Sequence, residues 1–187
     1  MQCRLLLIRH GESALGSQGR YAGHFDTPLT PNGKRQVARL CPRFERHHVH
    51  EIYSSDLSRC RDTAEILAGG REIFVTRKLR ELDFGAWEGC THDELIRSAP
   101  SRYGRWLAAP HSIHPPRGES LPHLIKRVHS FVRELVRRHQ GKTLALVTHG
   151  GPIRVLLASD PAEFWSVQVP PASMKLMERF SLREVAS

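Results

Sequence analysis

The sequence LLLIRHG, at residues 5–11, is the stretch that decides the fold. Its four aliphatic residues form a continuous apolar run, which is typical of a strand that is buried on both faces of a sheet. A second run of this kind, LALVTHG, occupies residues 144–150. Such strands belong to sheets whose two faces are both covered by helices. The two runs therefore predict an α/β domain.

Helical and strand-like segments alternate between and beyond these two runs. Helices are predicted at about 31–40 and 57–68, one after the capping box at 91–94 and another through about 108, one at 121–139 and a short one after residue 151. Further strands are predicted at 52–54, 73–75, 167–169 and 174–177. Thr91 and Ser120 are expected to cap helices, and Pro42 to end or kink one. Residues 109–118 are expected to form a loop. Strands separated by helices indicate a mainly parallel sheet.

The composition excludes several classes of protein. The chain has 187 residues, of which 40% are apolar and 25% charged, and this balance argues against disordered and fibrous structures. No apolar run approaches the ~20 residues that a membrane span needs, and the first aliphatic run is too short for a signal peptide. The four cysteines form no C-x-x-C pair, so a zinc knuckle or redox dithiol is not indicated. We expect a cytoplasmic protein with reduced cysteines and without a membrane partner.

The net charge of +9 indicates attraction to anions. Only five of the 28 basic residues are lysines, which leaves 28 − 5 = 23 arginines, and the planar arginine fork suits phosphate. Charge alone would be compatible with nucleic-acid binding. However, the basic residues are spread along the chain without a dense block or interleaved aromatic residues. We therefore expect an arginine-rich surface and no nucleic-acid partner.

Both apolar runs end in a histidine followed by a glycine, as His10-Gly11 and as His149-Gly150. In open α/β sheets, ligands bind beyond the carboxyl ends of the strands. A glycine at this place lets the backbone approach a ligand closely. A single histidine at a strand end is usually structural, but two such placements in one chain favour a shared binding site.

Two arginines are expected beside these histidines. Arg9 directly precedes His10, and Arg59 follows the predicted strand at 52–54. In a parallel sheet, the segment around Arg59 emerges at the same edge as the histidines. Because guanidinium groups match the geometry of phosphate oxygens, the pattern predicts a site for a tetrahedral phosphoryl group.

The motifs of this chain, taken in order, resemble those of the histidine phosphatase superfamily, the phosphoglycerate-mutase-like phosphatases. The matching segments are LIRHGES at 7–13, DTPLT at 26–30, GKRQ at 33–36, SDLSRCRDT at 55–63, ELDFGAWEG at 81–89, GES at 118–120 and VTHGG at 147–151. The resemblance covers roughly residues 4–178. It implies a three-layer α/β/α fold of the phosphoglycerate mutase type, with one histidine phosphatase domain over residues 1–187.

The resemblance also implies catalytic roles. His10 matches the nucleophile that becomes a phosphohistidine, and a covalent intermediate divides one hard displacement into two easier ones. Arg9, Arg59 and His149 match the groups that hold the phosphoryl oxygens, and we expect a phosphate dianion to favour a protonated His149. Glu81 matches the proton donor, which later accepts a proton from water.

Other site residues follow from the same motifs. Ala22 and Gly23 lie in a loop that matches the family, and together with Gly150 they are predicted to contact the substrate. Glu12 is expected to orient the loop that carries the nucleophile. Where family members often carry Asn after the first motif, this chain has Gly16, so one amide that would touch phosphate is missing. No metal and no cofactor are expected, because arginine and histidine supply the positive charge.

The resemblance favours a phosphatase over a mutase. The chain is compact, and Glu81 is followed by Leu-Asp-Phe, where mutases of the superfamily have Arg-His-Tyr. The motifs look most like those of the α-ribazole phosphatases, which act late in cobalamin synthesis, so a small phosphate monoester is the expected partner. The alternatives are a broad-specificity or fructose-bisphosphate-type phosphatase, a phosphoglycerate mutase and a non-catalytic phosphate-binding module. The oligomeric state stays open, with a homodimer among the alternatives.

Overall fold

A five-stranded sheet, in the order β3-β2-β4-β1-β5, forms the centre of the computed structural model. The structure describes residues 2–178 and residue 180, so the outermost parts of the predicted domain 1–187 lie outside the described residues. The strands are β1 (Arg4–Arg9), β2 (Glu51–Ser55), β3 (Ile73–Thr76), β4 (Thr143–Thr148) and β5 (Met174–Met177). The first four run parallel and β5 pairs antiparallel with β1, which confirms a mainly parallel sheet.

The helices lie between the strands, as the sequence predicts. They are α1 (Pro31–Ala38), α2 (Cys41–Glu45), α3 (Ser58–Ala68), α4 (His92–Ser98), α5 (Pro100–Ala108), α6 (Leu121–Arg138) and α7 (Gly150–Leu157). Short 3-10 turns cover Gly16–Gln18, Arg77–Leu79, Gly85–Trp87 and Pro161–Glu163. Within the described part of the chain, no helix is long and apolar enough to cross a lipid bilayer.

The sheet separates two hydrophobic cores because successive side chains of a strand point to opposite faces. Leu5 and Leu7 of β1 pack in one core with residues of α6 and α7, whereas Leu6 and Ile8 pack in the other with residues of α1 and α3. Every residue of β4 is buried, since this strand lies between β1 and β2. Helices on both faces give the three-layer α/β/α architecture that the resemblance implied.

Local signals set most helix boundaries. The Thr91 side chain accepts from the Glu94 backbone N–H while the Glu94 side chain accepts from Thr91, which completes the predicted capping box. Ser120 accepts from the N–H of His123 and so begins α6. The helix predicted to reach residue 40 ends at Ala38, and Pro42 lies in the first turn of the separate helix α2.

The strand predicted at 167–169 is wrong. These residues follow a series of turns and form no ladder, and β5 occupies the sheet edge beside β1 instead. The Val169 carbonyl accepts from Nη1 of Arg9, and the Val167 carbonyl accepts from Nε of Arg154 at 3.1 Å. Arginine side chains thus donate to backbone carbonyls that in a strand would accept hydrogen bonds from the neighbouring strand. In addition, a proline follows directly at position 170.

The register of β1 and β4 fixes the position of the two strand-end histidines. Arg9 at the end of β1 lies opposite Thr148 at the end of β4. The residue after Arg9 is His10, and the residue after Thr148 is His149. The His10 backbone N–H donates to the Thr148 carbonyl at 3.0 Å and continues the ladder by one step. Parallel pairing therefore places both histidines at one edge of the sheet.

Candidate active site

A cavity of about 450 Å³ opens at the carboxyl edge of the parallel strands. Among the residues predicted for the site, those that line it are Arg9, His10, Ala22, Gly23, Arg59 and Glu81. They come from the end of β1, from the first turn of α3 and from loops that follow β1 and β3. The other two predicted residues, His149 and Gly150, are buried and are not among the described lining residues. That these two contact a phosphoryl group stays a prediction.

His10 is held in one tautomer with one free nitrogen. Its Nδ1 lies 2.7 Å from the Gly11 carbonyl, and since a carbonyl can only accept, Nδ1 carries the proton. The lone pair of the neutral ring is then on Nε2. Burial, followed by the charges of Arg59 and Arg9, holds the pKa of His10 well below its usual range. The ring is therefore ready to act as a nucleophile.

His149 stands edge-on against His10, with the two ring centroids 5.0 Å apart. Its Nε2 lies 2.9 Å from Oγ of Ser55 and 3.3 Å from Sγ of Cys60, whose own thiol pKa is raised by burial. Burial and then the charge of Arg59 hold the pKa of His149 well below its usual range. The protein's own groups favour the neutral ring, so only charge brought by a substrate can favour the protonated form that we predicted.

The two predicted arginines each keep one buried donor free. Arg59, in the first turn of α3, donates from its two Nη atoms to the carbonyls of Gly23 and Phe25, at 2.6 and 3.0 Å. Arg9 donates to the Val169 carbonyl. The Nε atoms of both arginines are buried and have no hydrogen-bond partner among the described residues. Oxygens of a phosphoryl group in the cavity could accept from these donors.

The Glu81 carboxylate is fixed by backbone donors. Its Oε1 accepts from the N–H of Leu82 at 2.8 Å and from that of Gly151 at 2.9 Å, and its Oε2 lies 3.1 Å from the same Gly151 nitrogen. A Cβ atom at position 151 would overlap Oε1 of Glu81. The second glycine of the VTHGG motif therefore makes room for the carboxylate of the predicted proton donor.

The loop that contains Ala22 and Gly23 is held by Glu88. The Glu88 carboxylate accepts from the backbone N–H groups of His24 and Phe25, both at 2.6 Å, and from that of Phe84 at 3.3 Å. Burial raises the pKa of Glu88. Because the same loop supplies the carbonyls that bind Arg59, Glu88 indirectly supports the orientation of this arginine.

Glu12 ties the loop after His10 to the start of α1, as the sequence predicts. Its carboxylate accepts from Oγ1 of Thr30 at 2.6 Å and from Nδ2 of Asn32 at 3.2 Å, and its backbone N–H donates to Gln36 at 2.9 Å. A Cβ atom at position 33 would overlap the Glu12 carbonyl, so Gly33 allows α1 to approach this closely. These contacts explain the GKRQ motif.

Gly16, which stands where relatives often carry Asn, lines the cavity and begins a 3-10 turn. Its backbone N–H donates to Oγ of Ser13 at 3.3 Å, and a Cβ atom here would lie 2.9 Å from that oxygen. The turn therefore presents backbone at this wall. No side-chain amide of residue 16 is available to a phosphoryl group.

The structure adds site residues that the sequence analysis missed. Arg154 and Trp165 line the cavity, and the Arg154 guanidinium lies 5.7 Å from the Trp165 ring centroid. A Cβ atom at Gly150 would lie 2.9 Å from Nη1 of Arg154 and 3.7 Å from Cζ of Arg9, so the two guanidinium groups are neighbours. The spacing of Gly150 and Arg154, four residues apart on one helix, is the signal that could have found this arginine. No sequence signal indicates Trp165.

Comparisons with known proteins agree with this geometry. The chain is 35% identical over 188 residues to phosphoserine phosphatase 1 of Hydrogenobacter thermophilus. The aligned residues cover 97% of this chain and 89% of that protein. It is 31% identical over 157 residues to the adenosylcobalamin/alpha-ribazole phosphatase of Salmonella typhimurium. That alignment covers 83% of this chain and 78% of the Salmonella protein. The solved structure of Bacillus stearothermophilus YhfR superposes with a TM-score of 0.88 at 36% identity, over 94% and 91% of the two chains.

The fold and the histidine–arginine site define a phosphatase that acts on phosphate monoesters. The model of the histidine phosphatase superfamily (branch 1) matches residues 5–184, and the chain belongs to this superfamily.

Proposed function

We propose that this enzyme hydrolyses a small phosphate monoester through a phosphohistidine formed on His10. One observation carries the proposal: a buried, neutral His10 lines the cavity with its lone pair on Nε2, beside Arg9 and Arg59. A neutral imidazole attacks phosphorus without first needing a base, and the arginines supply charge that complements the transition state.

The first step transfers the phosphoryl group. Nε2 of His10 forms a bond to phosphorus as the bond from phosphorus to the ester oxygen breaks, and Glu81 gives its proton to that departing oxygen. The product is a ring phosphorylated on Nε2 and protonated on Nδ1. The Gly11 carbonyl, 2.7 Å from Nδ1, stabilises the positive charge of this ring.

The second step regenerates the enzyme. Water attacks phosphorus, the P–N bond breaks, and the Glu81 carboxylate takes the proton that water loses. Inorganic phosphate leaves and His10 returns to its neutral form. Free Nε donors on Arg9 and Arg59 hold the phosphoryl oxygens in both steps, and no metal ion is needed.

Quenching with alkali during turnover tests this proposal. With a substrate that carries labelled phosphate, we expect label on His10 that is stable to base and labile to acid. His10→Ala should abolish both the label and the turnover, whereas His111→Ala, at an exposed position outside the cavity, should leave both unchanged. Activity should also survive a chelator. Full turnover in His10→Ala, or a requirement for metal, would contradict the mechanism.

For the substrate, the proposal is α-ribazole 5′-phosphate, with α-ribazole as the leaving group, which would place the enzyme in cobalamin synthesis. Three aromatic side chains, Tyr21, Phe84 and Trp165, line the cavity and offer flat surfaces to a planar base. The relative from Salmonella carries a name with this activity. A cytoplasmic location stays a prediction from the sequence.

Phosphoserine is the second candidate, because Arg154 lies in the cavity and can pair with a carboxylate. A substrate panel separates the candidates: α-ribazole 5′-phosphate, phosphoserine, a sugar phosphate and phosphoglycerate. Arg154→Ala should raise KM for phosphoserine by roughly tenfold, the equivalent of about 1.4 kcal/mol. The same variant should change KM for α-ribazole 5′-phosphate little. A preference of the wild type for phosphoserine, lost in this variant, would replace the first candidate by the second.

A further inference from the structure

The segment that carries Glu81 has little regular structure of its own. Residues 77–79 form a 3-10 turn after β3, and residues 80–84 belong to no helix or strand. A proton donor must nevertheless be held within a fraction of an ångström, since a displacement of about 1 Å can cost roughly 100-fold in rate. Groups outside the segment must therefore fix its backbone.

Arg127, on α6, contacts this segment at three backbone carbonyls. Its Nη1 donates to the carbonyls of Lys78 and Arg80, both at 3.0 Å, and its Nη2 donates to the carbonyl of Glu81 at 3.2 Å. On the other side, Nε2 of His24 donates to the Glu81 carbonyl at 3.0 Å. The peptide unit of the proton donor is thus held from two directions.

Glu119 orients Arg127 and extends the contact past the proton donor. Its carboxylate accepts two hydrogen bonds from Arg127, from Nε at 3.0 Å and from Nη2 at 2.7 Å, in the bidentate geometry that fixes a guanidinium plane. Its backbone N–H donates to the Asp83 carbonyl at 2.9 Å. Both side chains are mostly buried, with 20% of Arg127 and 15% of Glu119 exposed. Backbone on both sides of Glu81 is therefore bound by this one pair.

We infer that Arg127 and Glu119 are positioning residues that set the geometry of proton transfer by Glu81. This inference rests on the proposed function and gives the GES motif at 118–120 a role in it. Neither side chain is among the described groups that contact His10, so the pair acts on departure of the leaving group and not on attack by the nucleophile. An arginine fork is required, since a lysine ammonium cannot bind three carbonyls and a carboxylate together.

The test compares two substrates that differ in their need for a proton. For an alkyl phosphate, Arg127→Ala should lower kcat roughly 10- to 100-fold with KM little changed, whereas for p-nitrophenyl phosphate it should lower kcat less than about threefold. Arg127→Lys should recover only a small part of the loss. Arg133→Ala, at an exposed position of the same helix, is the matched control and should match the wild type. Equal losses on both substrates would overturn the inference.

A double variant shows whether Arg127 acts through Glu81. In a Glu81→Gln background, adding Arg127→Ala should cause no further loss on the alkyl phosphate, because the group that it positions is already disabled. A full additional loss would mean that Arg127 acts elsewhere. If Arg127→Ala fails to fold, Glu119→Gln provides the test, with a selective loss of about three- to tenfold expected and an unselective loss contradicting the inference. If Glu81→Gln alone slows both substrates equally, the assigned role of Glu81 fails first.

Discussion

His10 and His149 combine complete or nearly complete burial with positions next to arginines, and both effects disfavour the charged ring. The pKa values of both rings lie well below their usual range, with burial as the largest cause. For His10 this keeps the proposed nucleophile uncharged in mildly acidic solution. For His149 it means that the ring responds to charge that a substrate brings.

The free energy of unfolding should depend on pH because of these two lowered pKa values. In the unfolded chain both rings titrate near their ordinary value of about 6.5, so below this pH the unfolded state binds more protons than the native state. The stabilisation is fully present above about pH 6.5 and is lost as the pH falls toward the folded-state pKa values. Urea unfolding between pH 7.5 and 5 should show this loss.

A variant of His149 shows whether this ring contributes to the loss of stability at low pH. His149→Gln should flatten the pH dependence of the free energy of unfolding by up to about 1.4 kcal/mol per pH unit relative to the wild type. The slopes are compared within each variant, so a general loss of stability does not affect the result. Equal slopes in the wild type and His149→Gln would show that this ring does not contribute.

Gly151→Ala tests the placement of Glu81. The added methyl group would occupy the position of Oε1, and the carboxylate would have to leave the Gly151 N–H. We expect kcat for an alkyl phosphate to fall roughly 10- to 100-fold, with a much smaller change for p-nitrophenyl phosphate. Gly104→Ala, in α5 with open space around its Cβ position, is the control and should keep full activity. A Gly151→Ala enzyme that is unaffected on both substrates would show that the carboxylate does not need this position.

Helix α4 depends on the capping box at its start. Thr91→Ala removes the acceptor for the Glu94 N–H, and we expect the free energy of unfolding to fall by about 1 kcal/mol. Urea denaturation measures this change, with Ser101→Ala at an exposed position of α5 as the comparison. A loss in Thr91→Ala no greater than that in Ser101→Ala would mean that α4 is stabilised by packing instead. Activity should be unchanged, since Thr91 does not line the cavity.

The elements that could be predicted from the sequence are those with a local cause. Buried runs identified β1 and β4, and side-chain caps identified the starts of α4 and α6. The segment at 167–169 has the composition of a strand but forms none, because two distant arginines take its carbonyls. Long-range side-chain contacts of this kind leave no periodic pattern in the sequence.

The same distinction applies to the site. Arg9 and His10 follow from their position at a strand end and Glu81 from the family resemblance, and all three line the cavity. Arg127 reaches the Glu81 segment across 46 positions of sequence, and nothing in the sequence around it distinguishes it from the exposed arginines of α6. Residues that support a site from a distant part of the chain are therefore identified only from the structure. Residues at strand ends can be identified from the sequence pattern.

The charge of the whole protein, +9, and the charges within the cavity should differ in their sensitivity to salt. The long-range attraction between the net positive charge and an anion is screened beyond a Debye length of about 10 Å at 0.1 M salt. Interactions with buried charges are screened much less. Arg59 is 1% exposed. The inhibition constant of inorganic phosphate should therefore rise by less than about fivefold between about 20 and 200 mM NaCl. A much steeper rise would indicate binding governed by the surface.

The first turn of α7 follows His149 directly and donates its Gly151 N–H to Glu81. Two residues of backbone thus fix the distance between the predicted proton donor and the predicted phosphoryl pocket. Substrates must consequently bring their ester oxygen to one place, while the remainder of the molecule is free to vary. An enzyme built in this way would select for the bond that it breaks.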